Sequence, residues 1–490
     1  MIDRPLSEVA ALAGGELLPV DTVTDLLAAT VSTVVTDSRK AGPGALFVAL
    51  AGERTDGHVH IGSAAASGAG AALVSDVDAA RAALADAAES LPLIVVPDTV
   101  AALGSLARGH LADLRRRAAQ RAAALTVVAV TGSVGKTTTK DLTRQLLAAQ
   151  APTVAPVASF NNEIGLPLTV LEADASTRYL VLEMGASGPG HITYLTDIAP
   201  LDAAAVLMVG HAHMEGFGSV DGVARAKAEI VDGLVPTGTA VLNLDDPRTA
   251  AMANSAPQAL TFSASGAPHA DIRAAAVELD ADAHAVFDLH LPGLAEQRVR
   301  LAIPGAHNVA NALAAAGLAL VAGADPERIA AGLETARLES PHRMDVSRLG
   351  REVLLIDDAY NANIDSMAAA LKSLGALAGN RRRVAIISEM LELGASSRED
   401  HARTGELAAA AGVSLLITVG GGAAPAAATA RAAGLKVLEL PDADGALAAL
   451  DAPDGPLRDG DAVLVKGSHG SGAWRLADHL RDSLKEMHAQ

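Results

Sequence analysis

The chain has 490 residues, a formal net charge of −19, no cysteine, and half of its residues are hydrophobic. That length suits two to four domains with ample core material. The lack of cysteine excludes disulfides, thiolate metal sites and cysteine nucleophiles. The acidic balance argues against a nucleic-acid partner, whose phosphates it would repel, but not against small anions held by local positive groups.

The N-terminal stretch MIDRPLSEVAALAGGE carries Asp3, Arg4 and Glu8 and no apolar signal-peptide core. The apolar run Ala312 to Ala324 is too short to cross a bilayer and contains two glycines. A soluble, cytoplasmic protein without membrane insertion is expected. Residues 1–105 read as a first small domain, with strands at Val31 to Val35 and Ala45 to Leu50 around the polar turn TDSRKAGPG. Ser38 and Arg39 in that turn can hold an anion, although the residues alone favour a solvated hairpin. LADLRRRAAQRAAA then reads as a basic helix or linker whose arginines are a solvated face.

A central domain over 106–340 opens on Val127 to Val130, a short apolar run that predicts a buried strand. Thr131, Gly132, Ser133, Val134 and Gly135 form a small-residue turn, and Leu142, Leu146 and Leu147 then repeat at helical spacing. A strand, a glycine turn and a helix start gather backbone N–H groups around one point, which suits phosphate. Lys136 would reach the outer phosphates, with the Thr137 hydroxyl on magnesium and Thr138 following in the same turn. The strict phosphate-loop pattern wants glycine where this chain has Val130 and carries Gly132 instead.

Farther on, Asn161 and Asn162 are either a simple turn or amide contacts to a sugar or peptide. The strand Tyr179 to Met184 carries Glu183 near its end, beside the phosphate loop, where a magnesium ligand belongs. His211 and His213 are two apart and would share one side of a strand. No further zinc ligand follows at the usual spacing, so one histidine joining Glu183 at magnesium fits better. Lys227 reads on its own as a surface lysine, since a bare ammonium beside a divalent cation would be repelled. Asn308 and Asn311 are three apart and can meet on one helical face. Capping explains Asn308 well and Asn311 poorly.

A third domain over 341–490 begins at HRMDV, which includes Arg343. Asp357 and Asp358 end its first strand, and Lys466 ends a later one, able to meet an anion. Strands alternate with helices throughout. The fold class expected is α/β in three domains: a small N-terminal α/β domain, a central mostly parallel sheet of phosphate-loop type flanked by helices, and a Rossmann-like C-terminal domain.

Taken in order, TDSRK, TGSVGKTTTK, NNEIGLPLT, LEMGASGPGHI, HAHMEGFGS, AKAEI, NLDDP, HNVANALAA, HRMD, DDAYNAN and LVKGS resemble the motifs of the ATP-dependent Mur ligases of peptidoglycan precursor synthesis. The similarity covers nearly the whole chain and is greatest to the MurF type, which adds D-alanyl-D-alanine to UDP-N-acetylmuramoyl-tripeptide. The family's own ATP loop lacks the first glycine of the strict pattern, which accounts for Val130.

The resemblance implies roles. Thr137, Glu183 and His213 (rather than His211) look like magnesium ligands. Lys227 resembles a lysine that becomes a carbamate, an anion compatible with magnesium. Lys136, Lys227, His213 and Glu183 form the implied catalytic set. Asn308 and Asn311 resemble adenine contacts, and Arg343 and Asp358 contacts to the ATP phosphates and ribose. Ser38 and Arg39 look like uridine-nucleotide contacts. Asn161, Asn162 and Thr169 fall where the family holds the muramoyl peptide. Asn361, Asn363 and Ser366 lie in a segment characteristic of the dipeptide-adding type. His469 departs from the arginine that many relatives carry there. A monomer using ATP and Mg2+, with no nucleic-acid partner, is expected, with the C-terminal domain closing on ATP. A carboxylate must be activated before an amine can attack it, so an acyl phosphate and no covalent enzyme intermediate are expected. The rivals are a Mur ligase adding the third amino acid and a plain phosphate-loop NTPase. The latter would have no need of the first and third domains.

Overall fold

The computed structural model describes residues 1–18, 29–52, 55–85, 91–211 and 214–485. Three α/β units follow one another, each built on its own sheet. The N-terminal sheet has five strands in the order Glu16–Leu18, Leu93–Val95, Ala71–Val74, Ala45–Val48 and Thr33–Val35. Only Glu16–Leu18 runs antiparallel. Ser38 and Arg39 therefore lie between two parallel strands, not at the tip of a hairpin, in a 3₁₀ turn over Ser38–Lys40 capped by Asp37.

A 22-residue helix, Thr99–Gln120, starts on Asp98, whose carboxylate accepts from the N–H groups of Val100 and Ala101. It runs straight across the boundary expected at 105. Its apolar face, including Leu103, Leu106 and Leu111, packs between the helix Leu6–Ala13 and the central strands carrying Val127, Ala129 and Leu182. One continuous core thus joins the first two units. The basic segment of this helix is largely a solvated face, as expected, with Arg116 and Arg117 exposed while pairing with Asp113; Arg115 is half-buried against Asp202.

The central sheet has nine strands, and the apolar strand Thr126–Thr131 lies between Leu201–Val206 and Tyr179–Glu183, parallel to both. Valine and alanine fill these strands because both faces are covered by helices. From Thr126–Thr131 the chain first builds toward one edge, at Thr153–Val154, then crosses to the other side of the sheet at Leu201–Val206. The carboxyl end of Thr126–Thr131 is thus a topological switch point, where open α/β sheets bind ligands. Beyond Gln258–Ser263 the sheet continues through Ile272–Leu279, His284–His290 and Gln297–Pro304, the last two pairings antiparallel. The sequence reading did not anticipate this extension. The C-terminal sheet has six strands, all parallel except the edge strand Asp345–Arg348. No helix among the described residues is long and apolar enough to cross a membrane.

A buried polar cluster ties the helix Lys136–Ala148 to the segment that leads into the third unit. Lys140 and Asp141, each only 1% exposed, form an ion pair. Lys140 also donates to Pro156 O and Ser340 Oγ, while Asp141 accepts from the backbone N–H and the hydroxyl of Ser340. Asp141→Ala would leave a buried ammonium without its counter-charge. Its expected cost is about 3–5 kcal/mol, read as a lower urea midpoint.

Candidate active site

The carboxyl ends of the central strands face the third unit across a cleft of about 890 Å3. The loop Ser133–Thr138, Asn161, Glu183 and Asn311 line one side; Arg343, Asp358 and Tyr360 line the other. The loop's shape requires its glycines. Gly135 has φ +85° and caps the helix Lys136–Ala148, and a Cβ there would lie 2.2 Å from Asn311 Oδ1. The Ser133 hydroxyl braces the loop by donating to Gly210 O (3.2 Å) and accepting from Gly210 N–H (2.8 Å). The first helical backbone bond runs from Thr139 N–H to Gly135 O (2.9 Å), so the preceding amides of the first turn remain available to a ligand.

Charge is concentrated around this loop. Lys136 donates from Nζ to Gly132 O (2.9 Å). Burial lowers its pKa, Glu183 opposes that shift and Arg343 reinforces it. Glu183 is buried; its Oε1 accepts from Asn161 Nδ2 (2.7 Å), while its Oε2 has no partner. The hydroxyls of Thr137 and Ser159 are 2.8 Å apart, and Arg343 Nη2 donates to Ser159 Oγ (3.0 Å). From the third unit, Asp358 accepts from Lys466 Nζ (2.5 Å) and from Met344 N–H (3.2 Å). Asn363 caps the helix Ile364–Leu377 in a reciprocal capping box with Ser366, and its amide lies 3.5 Å from Ser133 O. Asp365 accepts from His211 N–H (2.8 Å), a further contact between the second and third units.

Several expected residues lie elsewhere. Arg39 is 87% exposed, makes a two-point contact with Asp37 and, like Ser38, does not line this cleft. Thr169 is fully buried and donates to Gly165 O, one helical turn back. Asn162 borders the cleft, but its Oδ1 accepts from Gly165 N–H at the start of the helix Gly165–Glu172. Asn308 and Asn311 do meet, Asn311 Nδ2 donating to Asn308 Oδ1 (2.9 Å). Only Asn311 reaches the cleft. Asn308 does not cap its helix: its amide donates to Pro304 O (2.6 Å). Asn361 lines the cleft, its backbone carbonyl accepting from Lys466.

Lys227 is not a surface lysine. It is buried in the helix Val220–Asp232, and no hydrogen-bond or ion-pair partner is present for it among the described residues. Burial, then the charge of Lys136, pushes its pKa well below 10.5. The strand before the histidines ends at Val206, so strand alternation does not govern His211, and His213 lies outside the described residues. Among the described residues no three His, Asp or Glu side chains come together as a metal cluster.

Sequence reasoning missed Ser159 and Tyr360 as site members. Ser159 stands beside the Asn161–Asn162 pair, but only folding brings its hydroxyl to Thr137 and Arg343. Tyr360 was visible inside DDAYNAN, and nothing in its spacing announces a ring under Arg343.

Comparison with known proteins agrees with this architecture along the chain. The Mur ligase family catalytic domain matches residues 30–111, the Mur ligase middle domain residues 130–319, and the Mur ligase glutamate ligase domain residues 342–469. A UDP-N-acetylmuramoyl-tripeptide–D-alanyl-D-alanine ligase of Mycobacterium bovis is 40% identical over 516 residues, covering 98% of both chains. A crystal structure of MurF from Acinetobacter baumannii superposes with a TM-score of 0.80 at 31% identity, covering 98% of this chain and 99% of that one. MurF ligase from Thermotoga maritima, solved in complex with ADP, gives 0.75 at 26% identity over 93% of this chain and 99% of that one. With its three units matched in order and full-length relatives of one kind, the chain belongs to the Mur ligase family, in its MurF group.

Proposed function

We infer that the chain is an ATP-dependent ligase that joins D-alanyl-D-alanine to UDP-N-acetylmuramoyl-tripeptide, giving the pentapeptide precursor of peptidoglycan, ADP and phosphate. One observation carries the reading. The lysine-bearing glycine loop, the unpartnered oxygen of buried Glu183, and Arg343 with Asp358 share one cleft between two units.

In the reaction, the tripeptide's terminal carboxylate attacks the γ-phosphorus of ATP. The bond to ADP breaks and an acyl phosphate forms. The amine of D-alanyl-D-alanine then attacks the acyl carbon, and the tetrahedral intermediate expels phosphate as the amine loses a proton. Lys136, Arg343 and the open amides of the loop hold phosphate oxygens and offset the charge that accumulates there. Asn311 contacts the adenine, with Asn308 fixing its amide from behind. Asp358 binds the ribose, Asn161 orients Glu183, and Asn361 faces the incoming dipeptide. Packing the third unit over the cleft excludes water, which would otherwise hydrolyse the acyl phosphate.

The fit to magnesium rests on hard oxygen donors: the free Glu183 oxygen and the Thr137 hydroxyl, with phosphates and water completing a shell that proteins rarely supply alone. Bound there, Mg2+ would neutralise phosphate charge. His213 is proposed as a further ligand from the family pattern. Lys227 is proposed to carry a carbamate, a form favoured by its burial beside Lys136. Ser38 and Arg39 remain proposed contacts to the uridine nucleotide in the N-terminal domain, away from the ATP cleft. Thr169, whose hydroxyl is turned into its own helix, would act by positioning that helix. A monomer is proposed with this reading, and the substrates are those of a cytoplasmic enzyme.

The test is phosphate release with ATP and either UDP-tripeptide or UDP-dipeptide, offering D-alanyl-D-alanine, diaminopimelate or lysine as acceptor. Release and pentapeptide formation with D-alanyl-D-alanine alone are expected. Activity with a single amino acid added to a UDP-dipeptide would replace the reading with that of the third-residue ligase.

A further inference from the structure

Arg343 is held in an unusual way. The residues on both sides of it adopt left-handed backbone, His342 at φ +58° and Met344 at φ +54°, which side-chain-bearing residues rarely do unless their surroundings impose it. His342 is pinned by a buried acid: its Nδ1 is 2.8 Å from Asp357 Oδ2, which also accepts from Arg481 (2.6 Å). The Arg343 guanidinium lies 4.0 Å over the Tyr360 ring, and its buried Nε has no partner. Tyr360 also meets His469, with ring centroids 5.5 Å apart and 58° between the planes, and His469 stacks on Trp474 at 5.7 Å with 15° between the planes. A continuous ladder thus runs from Trp474 through His469 and Tyr360 to Arg343, then by hydrogen bonds through Ser159 to Thr137 in the phosphate loop.

We propose that His469 is a positioning residue for nucleotide use: it backs the Tyr360 ring so that the ring fixes the Arg343 guanidinium over the cleft, and it couples Trp474 to nucleotide binding. The physical basis is that a guanidinium on an aromatic face is directed only as well as that face is held. His469 is exposed and belongs to no core, so its removal leaves the fold intact. Arg343, by contrast, has one hydrogen bond and one ring to set its direction. The inference rests on the proposed contact between Arg343 and ATP.

Trp474 is the sole tryptophan, so its emission reports the ladder directly. His469→Ala is expected to raise the KM for ATP by about three- to tenfold, the range of a weakened cation–π contact. The KM for UDP-tripeptide and the melting temperature should stay at parental values. His469→Phe, which keeps a flat ring between Tyr360 and Trp474, should restore the KM for ATP. Adding ATP should change Trp474 emission in the parent chain, and that response should be lost in His469→Ala. An unchanged KM for ATP in His469→Ala, or equal rises in both KM values with a lower melting temperature, overturns the proposal. Arg343→Ala separates the two levels. If it raises the KM for ATP while His469→Ala does not, the ladder fails alone; if it too leaves the KM unchanged, the nucleotide role of Arg343 fails.

Discussion

Lys136→Ala lowers tripeptide-dependent phosphate release by about 10²–10³-fold, the loss expected when a preorganised positive group facing developing charge is removed. The fold should survive, because Lys136 Nζ makes one hydrogen bond, to Gly132 O in its own loop. That bond is replaceable: the amine can leave the carbonyl and turn to a phosphate oxygen. Phosphate release and an ADP-binding isotherm, measured side by side, check the result. Full activity would remove the phosphate-loop assignment. The variant carries a second signature. The Lys136 charge depresses the pKa of Lys227, so removing it should let the Lys227 pKa rise, visible as a shifted pH dependence of reaction with bicarbonate.

Lys227→Ala is expected to lose about 10–100-fold in activity, the cost typical of removing a group that supports a metal site. A short carboxylic acid should restore part of it. The reasoning is electrostatic. Burial and the nearby charge of Lys136 both disfavour the ammonium form of Lys227 and push its pKa well below 10.5, which favours the neutral amine. A neutral amine keeps its lone pair and can attack carbon dioxide, releasing a proton and becoming an anion. The like-charge neighbour Lys136 then becomes a counter-ion. A mass increase at Lys227 in bicarbonate checks the modification directly, and none under native conditions would refute it. The pH dependence of stability has a fixed sign. The folded pKa lies below the unfolded 10.5, so across that window the unfolded chain binds the extra proton and stability rises with pH. Lys227→Met should flatten that slope and, without bicarbonate, stabilise the inactive chain by about 0.5–2 kcal/mol.

Much of the site was readable in the sequence because it lies in local motifs. A glycine turn between an apolar strand and a helix admits few geometries, so Ser133–Thr138 could be placed before any fold was known. Asn308 and Asn311 share a face because helical spacing makes them. The acids at strand ends follow from the topology of open α/β sheets. Local patterns say less where a side chain's surroundings come from packing, or where a near neighbour takes up a group that looks available. Lys227 looks like a solvent residue in an alanine-rich helix, and only packing against the sheet removes its water and brings Lys136 near. Thr169 looks polar and available, yet its helix turns it inward. Arg39 looks free for an anion, and in the structure its exposed guanidinium also meets Asp37.

The sequence by itself determined the α/β alternation, the phosphate loop, the order of the motifs and the family they spell. These depend on periodicity and on residues adjacent in the chain. Only the tertiary structure decided that one helix, Thr99–Gln120, joins the first two units into a shared core. It alone extended the central sheet with antiparallel strands, left one oxygen of Glu183 without a partner, and set His469 against Tyr360 while stacking it on Trp474. The physical reason is the same each time: burial and pairing between residues far apart in the chain are properties of packing, and no local pattern encodes them.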